Sequence, residues 1–396
     1  MVISKHSLIR KVTEMPDHSV PQIPQFASRS QTPAFVRNFT PNWFAATMGT
    51  GILAIALAQF PAAPLLRELG EALWLVNIVL FSLFTVIFTA RWVLHFDETV
   101  RLFHHPVMSM FFGCIPMGLA TIVNGFLIFG IPHIGETAVA IAEALWWVDV
   151  ALSFACGLIV PFAMFTRQAH SIDKMTAVWL LPLVASEVAA VSGGLLIPHL
   201  ADPAQQLTVL MISLVLWACS VPIALSVLVV LFLRMALHKL PESTMAASSW
   251  LSIGPIGTGA LALMIFSEVS PAVLVTHGLG AVAGAFSGAA LLGAVLLWGY
   301  GLWWLAIAAI VTLRYFRNAV PFNLGWWGYT FPLGVYAVAT LRLSHLIPFA
   351  PFQIFGSVLV MTLAAIWLCV AFRTAIGAWR GSLFLAPRAV ADDYAI

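Results

Sequence analysis

The chain has 396 residues, of which 61% are hydrophobic and 9% charged, with a mean hydropathy of +0.98, and these values exclude a soluble globular domain. Its 18 Lys and Arg stand against 16 Asp and Glu, a net charge of +2 that argues against a nucleic-acid-binding surface. Cys114, Cys156, Cys219 and Cys369 lie singly in four different apolar runs, which argues against a disulfide framework and a paired-cysteine metal site.

Residues 1–38, with Pro16, Pro21, Pro24, Pro33 and many Ser and Gln, read as a flexible cytoplasmic tail, and no signal-peptide pattern precedes the first apolar run. A helix needs about 20 apolar residues to cross the hydrocarbon. Ten such runs follow, near residues 40–60, 72–95, 106–130, 138–165, 175–197, 206–234, 249–268, 281–313, 323–345 and 351–374. They define an all-α transmembrane domain over 39–375, with 376–396 as a second cytoplasmic tail. The stretch from Gly278 to Phe316 is long enough to divide into two spans, but charge placement rejects the division. With ten spans, all Lys and Arg except Arg67 and Arg342 fall on one side. The positive-inside rule then puts both termini in the cytoplasm of a multi-pass plasma (inner) membrane protein and requires one long, tilted eighth helix.

The odd-numbered spans are rich in Gly, Pro, Ser and Thr: "PNWFAATMGTGILA", "HPVMSMFFGCIPMGLATIVNG", "WLLPLVASEVAAVSGG", "SIGPIGTGALALM" and "WWGYTFPLGVYAVATL". The even-numbered spans are mostly plain Leu, Val, Ile and Phe. The odd spans begin near residues 40, 106, 175, 249 and 323, so a two-helix hairpin recurs five times. A unit with an even number of crossings repeats in parallel, about an axis along the membrane normal. Small residues allow close helix approach and aliphatic ones suit lipid, which places five odd helices inside and five even ones outside. The quasi-five-fold ring so formed leaves an axial space, to be filled by side chains or used as a pore. Gly49, Gly51, Gly113, Pro116, Gly118, Pro182, Ser186, Gly254, Pro255, Gly257, Thr258, Thr330, Pro332 and Gly334 are the candidate pore-lining or helix-bending residues. Two readings stand for them: kinks at mid-membrane that open backbone groups to a wet cavity, or close helix packing alone.

No odd span carries Lys or Arg at its middle, and its one clear acid is Glu187, either a proton-linked site or an interhelical hydrogen-bond donor. Glu143 and Asp149 lie on an outer span and read as packing or an interhelical hydrogen bond. Anion selection in such a pore would rest on bent-helix amides, hydroxyls such as Thr258 and Thr330, and focusing by Arg101, His104, His105 and Arg314 at one mouth and Arg342 near the other. The same cations also serve simply as topology signals. An enzyme would need a nucleophile with its base, a metal cluster or a cofactor motif. None occurs, and adjacent His104 and His105 project apart on a helix, so no cofactor or metal is expected.

The motifs "NFTPNWFAATMGTGILA", "HHPVMSMFFGCIPMGLATIVNG", "GPIGTGALAL" and "WWGYTFPLGVYAVATLRLS" resemble the tellurite-resistance/dicarboxylate transporter family, across about residues 38–375. That family includes the bacterial tellurite-resistance protein TehA, guard-cell slow anion channels, and fungal malate permeases and sulfite pumps. The resemblance implies ten helices in five parallel hairpins, a pore lined by the odd helices, and a homotrimer with one pore per subunit. It also implies that Phe331, in "TFP", is the phenylalanine that occludes the pore, with Pro332 and Gly334 loosening the helix at that depth. The expected function is transport of a small anion, malate or another C4-dicarboxylate first and sulfite or another small inorganic anion second. A membrane scaffold or sensor is the rival from another class.

Overall fold

The computed structural model describes residues 34–317 and 320–384. Residues 1–33 of the expected first tail and 385–396 of the second lie outside these. The principal helices are α1 (Ala45–Leu57), α2 (Pro64–Leu94), α3 (Cys114–Gly125), α4 (Glu136–Thr166), α5 (Leu181–Leu196), α6 (Pro203–His238), α7 (Ile253–Thr276), α8 (Gly280–Tyr315), α9 (Phe331–Leu346) and α10 (Ala350–Trp379). Eight of the helical stretches in the described residues are long and apolar enough to cross a membrane. The exceptions contain α1 and α9, with 13 and 16 α-helical residues.

In both, part of the rod is wound as a 3₁₀ helix. Pro41–Phe44 leads into α1 and Leu324–Tyr329 into α9. The same device precedes every odd-numbered helix: Met108–Gly113 before α3, Ala177–Leu180 before α5 and Ser243–Ser252 before α7. The change of winding gives the prolines a place. Pro182 and Pro332 are the second residues of their α-helical segments, and Pro116 and Pro255 the third. The fixed φ of proline suits helix entry, so these residues stand where the α winding starts. The run Gly280–Tyr315 is one unbroken helix of 36 residues, as charge placement required. The turn before it is closed by Gly278, at φ 75°, with Leu279 N–H donating to the Leu274 carbonyl at 2.8 Å.

The odd helices pack on one another in a closed order: α1 on α3, α3 on α5, α5 on α7, α7 on α9, and α9 back on α1. They are buried nearly throughout, and every residue of α1 is buried. Each even helix lies in the groove between its own hairpin partner and the following odd helix. The outward faces of the even helices carry exposed Val86, Phe162, Val229, Leu296 and Phe372, the kind of surface that lipid covers.

One polar contact recurs around this circuit. Trp74 of α2 donates its indole N–H to the Ile122 carbonyl of α3 (3.3 Å), and Trp146 of α4 to the Ala189 carbonyl of α5 (2.9 Å). Trp217 of α6 reaches the Gly259 carbonyl of α7 (3.1 Å), Trp298 of α8 reaches Thr340 Oγ1 of α9 (2.9 Å), and Trp367 of α10 reaches Thr50 Oγ1 of α1 (3.0 Å). Every outer helix is thus tied to the inner helix of the next hairpin.

The described ends of the chain meet on one face. Phe384 stacks on Trp43 with ring centroids 4.9 Å apart and meets Phe35 edge-on at 6.2 Å. These rings explain why ordered packing begins before residue 39, in the turn Ala34–Arg37 with Val36 buried, and why the last helix continues to Trp379, past the expected boundary at 375.

Replacing an indole by phenyl keeps most of the packing and deletes the donor. Trp146→Phe, Trp217→Phe, Trp298→Phe and Trp367→Phe should each cost about 1 kcal/mol. Each should lower the thermal midpoint in detergent, and midpoints equal to wild type would show that the girdle contributes nothing.

Candidate functional site: a vestibule above Phe331

Because the five odd helices begin their α segments side by side, their first turns enclose a common cavity of about 610 Å³. Its mouth carries neutral polar groups, among them Thr40, Asn42, Thr244, Ser248 and Asn323. Its floor, the part furthest along the helices, is formed by Met48, Met117, Val184, Gly254 and Phe331. Met48, Met117 and Val184 are the fourth residues of α1, α3 and α5, so three repeats contribute from one register.

Phe331 opens α9 and is 3% exposed. Its placement follows from the turn before it. Asn323 Oδ1 accepts from the Gly325 amide (2.7 Å) and starts the 3₁₀ segment, while Asn323 Nδ2 donates to the Thr244 carbonyl (3.0 Å) and fixes the segment against the lead-in of α7. Trp327 Nε1 donates to Thr374 Oγ1 of α10 (3.1 Å). Thr330 Oγ1 donates to the Trp327 carbonyl (2.7 Å), and the Gly334 amide donates to the Thr330 carbonyl (2.9 Å), where the α winding takes over.

Of the fourteen residues expected to line or bend the pore, Gly254 and Pro332 line this cavity together with Phe331. The other glycines serve close approach. A Cβ on Gly49 would overlap Trp327 and Thr330, one on Gly51 Thr121 and Asn77, one on Gly118 Thr47, and one on Gly334 Ile52. Gly113 and Gly257 face backbone, of Leu181 and Tyr336. Pro116, Pro182 and Pro255 hold the first turns. Ser186 lies beside Gly157 of α4, Thr330 beside Gly49, and Thr258 is buried with its hydroxyl unpartnered among the described residues.

Glu187 does not line the cavity. It is wholly buried near Gly259 of α7, with Val221 of α6 beside it, and neither carboxylate oxygen has a hydrogen-bond partner among the described residues. Asp149 is likewise buried, on α4.

The expected cationic mouth is only partly assembled. Arg101 and Arg314 are exposed and do not line the cavity. Arg342 pairs with Glu268 of α7, its Nε at 2.8 Å. His105 does line the cavity, but its Nδ1 accepts from the amides of Val107 (3.2 Å) and Met108 (3.1 Å), and burial pushes its pKa below the ordinary histidine value. It is therefore a neutral cap at pH 7 and not part of a positive field. The charge that does line the cavity is Arg91, at the end of α2, which from sequence counts only among the loop cations. The available signal was its position inside the apolar run "FTARWVL".

Residues 38–375 match the family model described as voltage-dependent anion channel (SLAC1). The chain belongs to that family. It is 35% identical over 362 residues to a sulfite efflux pump of Arthroderma benhamiae, covering 89% of this chain and 94% of the pump. It is 32% identical over 354 residues to an uncharacterised transporter of Methanocaldococcus jannaschii, covering 89% and 98%. Similarity to the malic acid transport protein of Schizosaccharomyces pombe is lower, 24% over 347 residues, covering 85% and 78%. A SLAC1-family chain of this composition is a multi-pass membrane protein of anion transport.

His105→Ala should remove two amide acceptors and lower stability by about 1 kcal/mol, while the anion concentration for half-maximal flux at neutral pH stays unchanged. Because the folded state lowers the His105 pKa, its contribution is complete above the ordinary histidine range and is lost as pH falls through it. The thermal midpoint of wild type should therefore decline on acidification more than that of His105→Ala. A weakened anion dependence at neutral pH in His105→Ala would instead show that this histidine carries charge.

Proposed function

We propose that the chain transports a small inorganic anion, sulfite first, across the plasma membrane along the axis enclosed by α1, α3, α5, α7 and α9, with Phe331 as the constriction. The observation that carries this reading is the vestibule itself: a polar-mouthed cavity, ringed by the first turns of all five odd helices, ending on an apolar floor. An apolar constriction blocks ions by excluding water, and a phenyl ring of this size is suited to that task.

Ten crossings are supported by length and by the meeting of the chain ends. With 2.0 Å per 3₁₀ residue and 1.5 Å per α residue, the rod of α9 with its lead-in extends roughly 36 Å, enough for a hydrocarbon core of about 30 Å, and that of α1 roughly 27 Å, within a few Å of it. Contact of Phe384 with Trp43 puts both described ends on one side, as an even number of crossings requires. The charge distribution of the sequence makes that side cytoplasmic, so the vestibule opens to the cytoplasm and suits export.

Sulfite takes precedence over malate because the relatives named as sulfite efflux pumps are the more similar in sequence. Dicarboxylate transport is the second reading, supported by the Schizosaccharomyces pombe relative.

Reconstitution into proteoliposomes tests this, with sulfite, malate, nitrate and chloride compared under a set membrane potential. Wild type should carry sulfite, and Phe331→Ala should raise anion flux roughly tenfold or more by removing the dry constriction. Folded Phe331→Ala with unchanged flux would overturn the gate assignment. Glu187→Gln should keep the wild-type pH profile of transport, since this side chain faces α6 and α7. A displaced profile would restore it as a proton-linked site.

A further inference from the structure

We propose that Arg91 is the charge by which the vestibule recognises its anion, and that the species admitted is the singly charged one. The inference rests on the anion-transport reading above and names the substrate's ionic form.

Among the described residues lining the cavity, Arg91 is the only Lys or Arg, and no Asp or Glu accompanies it. It is 6% exposed, so its guanidinium has lost most of its water. A buried cation needs a partner, and losing one costs several kcal/mol. The protein supplies little. Nη1 donates to the Phe39 carbonyl, while Nε is buried without any hydrogen-bond partner among the described residues. The nearby acid is Glu98, and both its oxygens are taken by Arg37, at 2.8 and 2.7 Å. The remaining titratable neighbours add no counter-charge: His95 is near Glu98, and His105 across the cavity is held neutral. A dehydrated guanidinium with no carboxylate partner of its own among the described residues, lining a cavity whose other lining groups are neutral, is a receptor for an oxyanion through a charge-assisted N–H donor.

One positive charge fixes the valence. A monoanion beside Arg91 is fully compensated, whereas a dianion brings a second charge that meets only neutral groups and then the apolar floor of Met48, Met117, Val184 and Phe331. The cost of moving an ion into a low-dielectric region grows with the square of its charge, so the dianion carries the heavier penalty. For sulfite the admitted form is hydrogensulfite, in which the proton stays on the substrate. For malate at neutral pH the dominant species is the dianion, which this site disfavours.

The test measures half-saturating concentrations of sulfite and nitrate in proteoliposomes, below and above the second ionisation of sulfurous acid. Wild type should need more total sulfite as pH rises, in step with the loss of hydrogensulfite, while nitrate is unaffected. Arg91→Gln should raise both half-saturating concentrations roughly tenfold or more, and Arg91→Lys should stay within about threefold of wild type. Thr244→Glu, at the exposed rim of the same cavity, cancels the field without touching Arg91 and should also raise both, so it decides the matter if Arg91→Gln is not recovered folded. Wild-type affinities in Arg91→Gln or Thr244→Glu would overturn the assignment of Arg91. A sulfite dependence indifferent to pH would overturn the monoanion. Absence of flux for any anion in wild type would instead overturn the transport reading on which both depend.

Discussion

The indole N–H that each outer helix gives to the inner helix of the following hairpin is the bond on which the rest of the architecture depends. In hydrocarbon, helices have no hydrophobic reason to prefer one another over lipid, so register must come from packing and from side-chain hydrogen bonds. Tryptophan suits this role because its large ring fills a groove while its single donor demands one acceptor. The fifth of these bonds, from Trp367 to Thr50, joins the last hairpin to the first and closes the order. With depth and rotation of the inner helices fixed in this way, their first turns lie side by side, and a cavity bounded by all five becomes possible.

The winding change inside each inner helix sets where that cavity ends. A 3₁₀ helix is narrower and longer per residue than an α-helix, so the lead-ins leave room at the mouth and the α segments close it below. The change happens where Pro116, Pro182, Pro255 and Pro332 stand in the first α turn. Below it the lining is apolar, and above it hydroxyls, amides and one guanidinium stand among further apolar side chains such as Leu102, Val178 and Phe322. The vestibule therefore brings a buried cation and an apolar floor into one cavity, the two features on which the proposed transport rests.

Much of this was legible in the chain. The apolar runs located the helices to within a few residues, apart from longer outer ends. The distribution of Lys and Arg kept Gly280–Tyr315 as one helix, and the recurring Gly- and Pro-rich spans exposed the five hairpins. Phe331, which lines the cavity, was singled out through the "TFP" motif and not through composition, which with 28 Phe could not distinguish it; its role as a gate remains the proposal above. The roles of the small residues were less legible, because glycine at a pore wall and glycine beneath a neighbouring side chain look alike in one dimension. Gly51 under Thr121 and Gly254 over open space show the difference. Sequence left the prolines between a kink and a packing role, because 3₁₀ lead-ins have no strong local signature. Arg91 was hidden by topology: a cation at the end of an apolar run looks like a loop charge until the N-terminal segment, with Phe39, folds over it.

The central claim is that anions pass along the axis beneath the vestibule. Gly254 offers the most direct test, since a side chain there would meet only Pro332 Cγ, at 4.0 Å, beside Phe331. Gly254→Cys would be placed in a chain with its four native cysteines replaced, then treated with an impermeant, bulky thiol reagent from the side where Phe35 and Phe384 meet. Sulfite flux should fall to that of empty vesicles. Complete modification of this cysteine with flux unchanged would show that the anion travels elsewhere.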